Sequence, residues 1–515
     1  MTIRFLASPP AGTDGGDLAA ASRAQRGRRP DPRIAGALIA EGAAAGPRDI
    51  LMQGGSLAVT TGQQAGLFTG PLYGVLKGLS AAALAAELTA RGTPHVPVFW
   101  VAGDDHDFDE INHSSVIGLD GRLARIVLRE RPAGSPMLPA YRELLGSDGR
   151  RALTELEGQL PASDFRTDTM AWLARAYGEA GTSLAESYAH ALAELLGPFG
   201  VVVARGWDEA LKASAAPVLR DAARRAGELD QALAAEAGRL KAAGREAPVE
   251  VGQGLSLLML ETADGRDRLK IVADRFETRR GARAVTRVEL ERTIQSEPGR
   301  VSANVLLRPA VEASVFPTVA YFGGPGELAY LAQAGPVFEL LGVPRPARLP
   351  RLSGFLIEAK VDKVLERYGL APSDLAAGEG ALMSRLAREQ LPERAAAALA
   401  ELRAGLTERF AAVQAEAARV DRTLEKPVES ARNQALVAAN EIEKKLIAAL
   451  KRANETTGQQ VARAREQLYP AGEPQERVIG VASFLSRHGR GLLDQLFAAA
   501  REHARRLLEG PSGRA

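Results

Sequence analysis

The sequence predicts a doubly wound α/β core followed by a long antiparallel helical hairpin, and three observations carry that expectation. A short apolar run at residues 56–60 (SLAVT) leads through a glycine-rich turn into an apolar helical stretch at 71–88 and then a second run at 96–101 (VPVFWV). That succession is a βαβ unit, whose right-handed crossover places both strands side by side and parallel. Further apolar runs at 201–204, 255–260, 269–272 and 318–322 are too short for helices and alternate with helical stretches. Asp264-Gly265 between the two middle runs reads as a hairpin turn, so a mixed sheet or a small antiparallel insertion is expected inside the core. In the last third Leu399, Leu402, Leu406, Phe410, Val413, Ala417, Val420 and Leu424 recur at spacings of three and four with charges between them, a heptad seam. Pro427 interrupts it, and a second stretch with Leu436, Ile442, Leu446 and Leu450 runs on toward Leu468. The simplest arrangement is an antiparallel hairpin whose arms are on the order of 45 Å or longer. Its seam serves either to bury one arm against the other or to form a subunit interface.

The 515 residues suffice for two to four structural units at roughly 150 residues each. In order, the expectation is a loosely structured lead-in over 1–50, broken by Pro30, Pro32 and Pro47; the α/β core over 51–380; the hairpin over 381–468; and a helical segment returning to the core over 469–515. Apolar residues at 46% and charged residues at 25% describe a soluble globular chain. Lys plus Arg number 65 against 63 Asp plus Glu, so whole-chain charge offers no footprint for nucleic acid or an acidic membrane. With no cysteine, disulfides, thiolate metal sites and cysteine nucleophiles are excluded. No basic segment leads into an apolar one at the start and no run approaches 18 apolar residues, so the cytoplasm is the expected compartment.

Candidate chemistry gathers at three strand ends. After the first strand, Gly62, Gly66 and Gly70 recur at intervals of four and Pro71 suits a first helical turn. Backbone amides over Gly66, Phe68, Thr69 and Gly70, with the helix dipole behind them, would favour a phosphate or carboxylate, and Gln63 and Gln64 stand beside them. Tyr73 and Lys77 share a helix face, from which Lys77 could reach that anion or simply meet solvent. The turn is neither G-x-G-x-x-G nor a Walker A loop. After the second strand come Asp104, Asp105, His106 and Asp107, where flanking carboxylates raise a histidine's proton affinity. Acid/base work, amine binding, a divalent metal and a solvated loop all fit that cluster. At the third, Gly323 and Gly324 precede a helix on which Glu327, Tyr330 and Gln333 fall at three-residue spacing on one face. Upstream, Asn304 and Arg308 lie in NVLLRP, with Arg308 a candidate clamp for carboxylate or phosphate.

TGQQAGLFTGPLY, PVFW followed by DDHDFDEIN, NVLLRP, FPTVAYFGGPGELAYLAQ and LYPAGEPQER together resemble the cysteine ligases of bacillithiol biosynthesis, from about Leu57 to the C-terminus. Asp104 stands where members of that family usually carry Glu. The resemblance implies a Rossmann-type core with inserted connecting segments, a coiled-coil arm that makes a homodimer, and addition of L-cysteine to glucosaminyl malate as a last biosynthetic step. In that role Asp105 or Asp107 would orient the glucosamine ammonium, His106 would take its proton, Glu327 would complete the catalytic set and Arg308 would hold the malate. An unactivated carboxylate acylates poorly, so ATP or another nucleotide is a candidate cosubstrate, although neither H-x-G-H nor a Lys-Met-Ser-Lys-Ser-like loop is present. Two rival classes are a coiled-coil scaffold with a regulatory anion pocket and a metal-dependent hydrolase using Asp105, His106 and Asp107.

Overall fold

The computed structural model describes residues 3–8, 17–281, 283–453 and 455–509. The chain divides into two compact units, one formed by 3–356 with the segment from 475 onward and one by 357–474. The sheet at the centre of the first unit has six strands in the order Ala347–Pro350, Thr318–Gly323, Leu57–Gln63, His95–Val101, Val202–Arg205, Leu38–Ile39. All neighbours are parallel except the edge strand Leu38–Ile39. Strand His95–Val101 shows why such a sheet must lie between two layers. Phe99 and Val101 enter one apolar core, Val98 and Trp100 enter another on the opposite face, and all four are buried. The helix Tyr73–Thr89 covers one face, and the returning C-terminal helix Gly491–Glu509 is tied to it by Arg501 and Arg505, both paired with Glu87.

Chain order leaves the central strand Leu57–Gln63 toward His95–Val101 and Val202–Arg205 on one side, then returns to Thr318–Gly323 on the other. The carboxyl ends of Leu57–Gln63 and Thr318–Gly323 therefore flank the point where the winding reverses, where ligands bind in open α/β sheets. An inserted antiparallel sheet contains Leu255–Thr262, Gly265–Val272, Arg275–Thr278, Ala284–Thr286 and Val301–Ala303. Its first hairpin closes at Thr262 and Gly265, whose φ of 95° is a conformation that favours glycine.

The expected loose lead-in is corrected over residues 17–50. Helices Leu18–Gln25 and Ala45–Gln53 form there, Leu38–Ile39 completes the sheet, and Ile34, Ala37, Leu38 and Ala44 are buried. Residues 9–16 lie outside the described residues. In the second unit, helices Glu393–Val420 and Glu425–Ala453 make the hairpin, each arm about 42 Å at 1.5 Å per residue. Arg403 reaches Asn440 and Glu443 while Gln414 reaches Glu425, so the arms run antiparallel. The break falls at 421–424 rather than at Pro427, which sits in the first turn of the second arm, where its missing N–H costs nothing. The unit also begins earlier than residue 381, because helices Ala359–Tyr368 and Glu379–Glu389 pack on its later helices.

Candidate active site

A cleft of about 590 Å³ opens at the carboxyl edge of the sheet, with Gln63 and Gln64, Asp104 and Asp105, and Gly324 and Glu327 on its walls. It is lined entirely by residues of the first unit. Strand register explains the convergence, since Gln63 pairs with Val101 and Phe322 with Thr61, aligning the three strand ends. Gly62 allows the walls to approach closely, as a Cβ there would lie 2.8 Å from the Trp100 carbonyl.

Lys77 is completely buried, and its ammonium donates to the Gly62 carbonyl at 2.8 Å, to Gln63 Oε1 at 2.7 Å and to Glu327 Oε2 at 2.5 Å. Burial pushes the Lys77 amine down to about 8, against the pull of Glu327. Burial also pushes the Glu327 carboxyl up, but Lys77 and the Gly324 amide outweigh it and hold the carboxyl below its usual range. The pair is therefore ionised at neutral pH. Gln63 in turn donates to the Tyr73 hydroxyl at 2.6 Å, so one ion pair links the first strand, its following helix and the turn after Thr318–Gly323.

On the neighbouring wall Gln64 Nε2 bridges Asp105 Oδ2 at 2.7 Å and Glu110 Oε2 at 2.9 Å, and the Asp107 amide caps Asp105 Oδ1. Burial raises the Asp105 carboxyl, yet Arg266 and the Gln64 hydrogen bond prevail and keep it ionised at neutral pH. Asp107 is shifted upward by burial and by Glu110. The expectation that flanking carboxylates raise His106 is corrected: burial first, then Arg266, lower it below its ordinary value. Arg266 Nη1 lies 3.3 Å from His106 Nδ1, and because a guanidinium can only donate, Nδ1 accepts and the ring's proton sits on Nε2. His106 itself is not part of the cleft wall.

Four further expectations change. The glycine turn does not form an anion cradle, because the Gly66 amide donates to Gln64, Thr69 to the Tyr177 hydroxyl and Gly70 to Leu67, while Phe68 is buried against Tyr177. Lys77 reaches Glu327 rather than an anion. Arg308 lines the cleft but is neutralised by Glu312 at 2.9 Å and donates to the Tyr321 and Tyr330 hydroxyls, so it is no free clamp. Asn304 lines the cleft as expected, with its Oδ1 accepting from the amides of Leu306 and Leu307, whereas Gln333 is buried away from the cleft with both amide atoms on the Val249 backbone. Tyr330 stays with the site through its hydroxyl, 3.5 Å from Glu327 Oε1, and Gly323 ends its strand close against Glu327, whose Cβ would lie 3.0 Å from a Cβ placed there. Among the described residues no three His, Asp or Glu side chains are grouped as ligands of one metal ion.

Sequence reading missed Lys212, Arg266, Arg268, Arg351 and Arg477, all on the cleft wall. Lys212 binds Asp104 at 2.6 Å and Arg351 binds Glu476 at 2.6 Å, partners more than a hundred residues away that no local pattern could have revealed. Arg266 and Arg268 did leave a signal: two cations at alternate positions of a strand directly after the Asp264-Gly265 turn.

The comparisons agree with this architecture. The model described as the bacillithiol biosynthesis BshC N-terminal Rossmann-like domain matches residues 45–352, and that of the BshC C-terminal coiled-coil domain matches 354–506. A Koribacter versatilis protein is 35% identical, covering 87% of this chain and 82% of its own length. Proteins of Salinibacter ruber and Heliobacterium modesticaldum are each 33% identical, over 87% of this chain and 81% and 82% of their own lengths. All three carry the name "Putative cysteine ligase BshC". With a Rossmann-like unit and a helical hairpin in the matched order, the chain belongs to the bacillithiol biosynthesis BshC family.

Proposed function

We propose that this protein is a cytoplasmic ligase that joins the carboxyl of L-cysteine to the amine of glucosaminyl malate, the last step of bacillithiol biosynthesis. The observation that carries this reading is the carboxylate wall at the winding switch, where Asp104, Asp105 and Glu327 face one cleft from two strand ends. Of the three, Asp104 and Glu327 are paired with buried lysines, which leaves Asp105 to receive a substrate ammonium. Asp105 orients that ammonium; after it loses one proton to solvent the free amine attacks the activated cysteine carbonyl carbon, Asp105 accepts the second proton, and the acyl C–O bond to the activating group breaks. The cysteine carboxyl needs activation first, because a free carboxylate has no adequate leaving group. Incubating purified protein with cysteine, glucosaminyl malate and each nucleoside triphosphate in turn should yield, with one of them, a product heavier than glucosaminyl malate by one cysteine less one water. Hydrolysed glucosaminyl malate in every reaction would support a hydrolase instead, and no binding of either substrate would support a scaffold.

His106 is, on this reading, a positioning residue that burial and Arg266 keep neutral beside Asp105. His106→Asn should then lower turnover at pH 7 less than about tenfold, whereas loss of a general base costs about 10² to 10⁴. Acidification tells the same way. A histidine depressed in the folded state makes stability fall as pH drops from its unfolded value near 6.5 through its lower folded one, and the Asn variant should lose that part of the acid sensitivity.

The hairpin serves as a homodimer interface. Leu402, Val413, Val420 and Ile442 remain exposed along its arms although they lie on heptad-like seams. Sedimentation at micromolar concentration should show a dimer, and Val413→Glu should shift it to monomer without melting the first unit. A wild-type monomer would assign the seam to packing within the hairpin.

A further inference from the structure

On the cleft wall, the other buried arginines each have a carboxylate of their own: Arg308 has Glu312 and Arg351 has Glu476. Arg266 and Arg268 break that pattern. They occupy alternate positions of the strand Gly265–Val272, hence one face of it, and both line the cleft. Among the described residues neither forms an ion pair with a carboxylate. Arg266 is only 8% exposed, and its guanidinium is spent on neutral acceptors, the Ser302 hydroxyl at 2.9 Å, the Ala303 carbonyl at 2.7 Å and His106 Nδ1. Arg268 donates through Nε to the Ser256 carbonyl at 2.9 Å, and its Nη2 is buried without any partner. Burial and the neighbouring Arg279 lower its proton affinity, and the attraction of Asp230 offsets only part of that.

A guanidinium in that condition fits a planar anion, and two side by side fit two anionic groups or one bidentate group. The acid wall of the same cleft offers Asp105 to a cation. We propose that Arg266 and Arg268 form a carboxylate-binding subsite that takes the dicarboxylate half of the amine substrate, leaving its ammonium at Asp105. The identity of that substrate as glucosaminyl malate rests on the ligase reading; the preference of the subsite for a dicarboxylate does not. This assignment moves the malate from Arg308, whose charge Glu312 already meets.

Calorimetric titration of the full chain with L-malate, and separately with inorganic pyrophosphate, tests it. Wild type should bind malate, Arg268→Gln should weaken binding about 10- to 100-fold, and Arg268→Lys, which keeps charge but loses the planar fork, should fall between. Thermal melting accompanies each variant, and the Lys variant supplies the reading if the Gln variant does not fold. Malate binding unchanged in the folded Gln or Lys variant would overturn the proposal. So would a dependence on Arg268 seen with pyrophosphate alone, which would make this a phosphate subsite. In turnover, Arg268→Gln should raise KM for glucosaminyl malate more than for glucosamine lacking the malate. Arg268-dependent malate binding without any ligation would sustain the subsite and sink the ligase reading, and ligation with an unchanged KM would do the reverse.

Discussion

Replacing Glu327 by Gln is expected to destabilise the first unit by about 3 kcal/mol at neutral pH, because it leaves a buried ammonium without its counter-charge. Lys77 would keep only neutral acceptors, the Gly62 carbonyl and the Gln63 amide oxygen among them. The substituted side chain brings little relief, since its single oxygen must serve both Lys77 and the Gly324 N–H and carries no charge to offset the ammonium. The pH dependence follows from the direction of the shift. Lys77 titrates near 8 in the folded protein and higher when unfolded, so the unfolded state holds the extra proton and wild-type stability rises with pH above about 8. Without Glu327 the folded value drops further and the rise begins at lower pH. The gap between variant and wild type should therefore be widest below pH 7 and close as pH passes 8. Chemical denaturation at pH 6.5 and 9 measures both, and a gap of the same size at both values would show that the cost lies elsewhere than in the ion pair.

Asp105→Asn should produce the largest loss of activity, about a hundred- to a thousandfold in turnover, with little change in stability. Asn keeps an oxygen to accept from Gln64 Nε2 and matches the volume, while removing the charge proposed to hold a substrate ammonium and to accept its proton. The side chain is 30% exposed and attracts the buried Arg266 without a direct ion pair, so its neutralisation costs less than removing the Glu327 charge that Lys77 contacts. Steady-state rates beside melting curves distinguish this from unfolding.

How much of this was legible beforehand depends on the range over which each feature is encoded. Strands such as 96–101 are apolar on both faces because two cores enclose the sheet, and a continuous run of that kind is visible without any partner. The helices of 17–50 were not, because Gly and Pro cut the Ala- and Arg-rich stretches into pieces too short to be stable alone, and tertiary burial of residues such as Ala21 and Leu51 orders them. At the site, the strand ends could be located from the glycines and acids that follow each run. Which charge meets which could not, as Lys77 finds Glu327 and Lys212 finds Asp104 only once the sheet has formed. The glycine turn misled for a related reason. Its amides look available in sequence, yet the fold satisfies those of Gly66, Thr69 and Gly70 internally.

The most direct test of the central claim, that the cleft at the winding switch joins an amine to a carboxyl through Asp105, is product mass in matched reactions of wild type and Asp105→Asn with cysteine, glucosaminyl malate and the activating nucleotide. The expected result is the amide product from wild type and at least about a hundredfold less from a folded Asp105→Asn protein. Equal product from both proteins, or free malate and sugar in place of the amide, would contradict it.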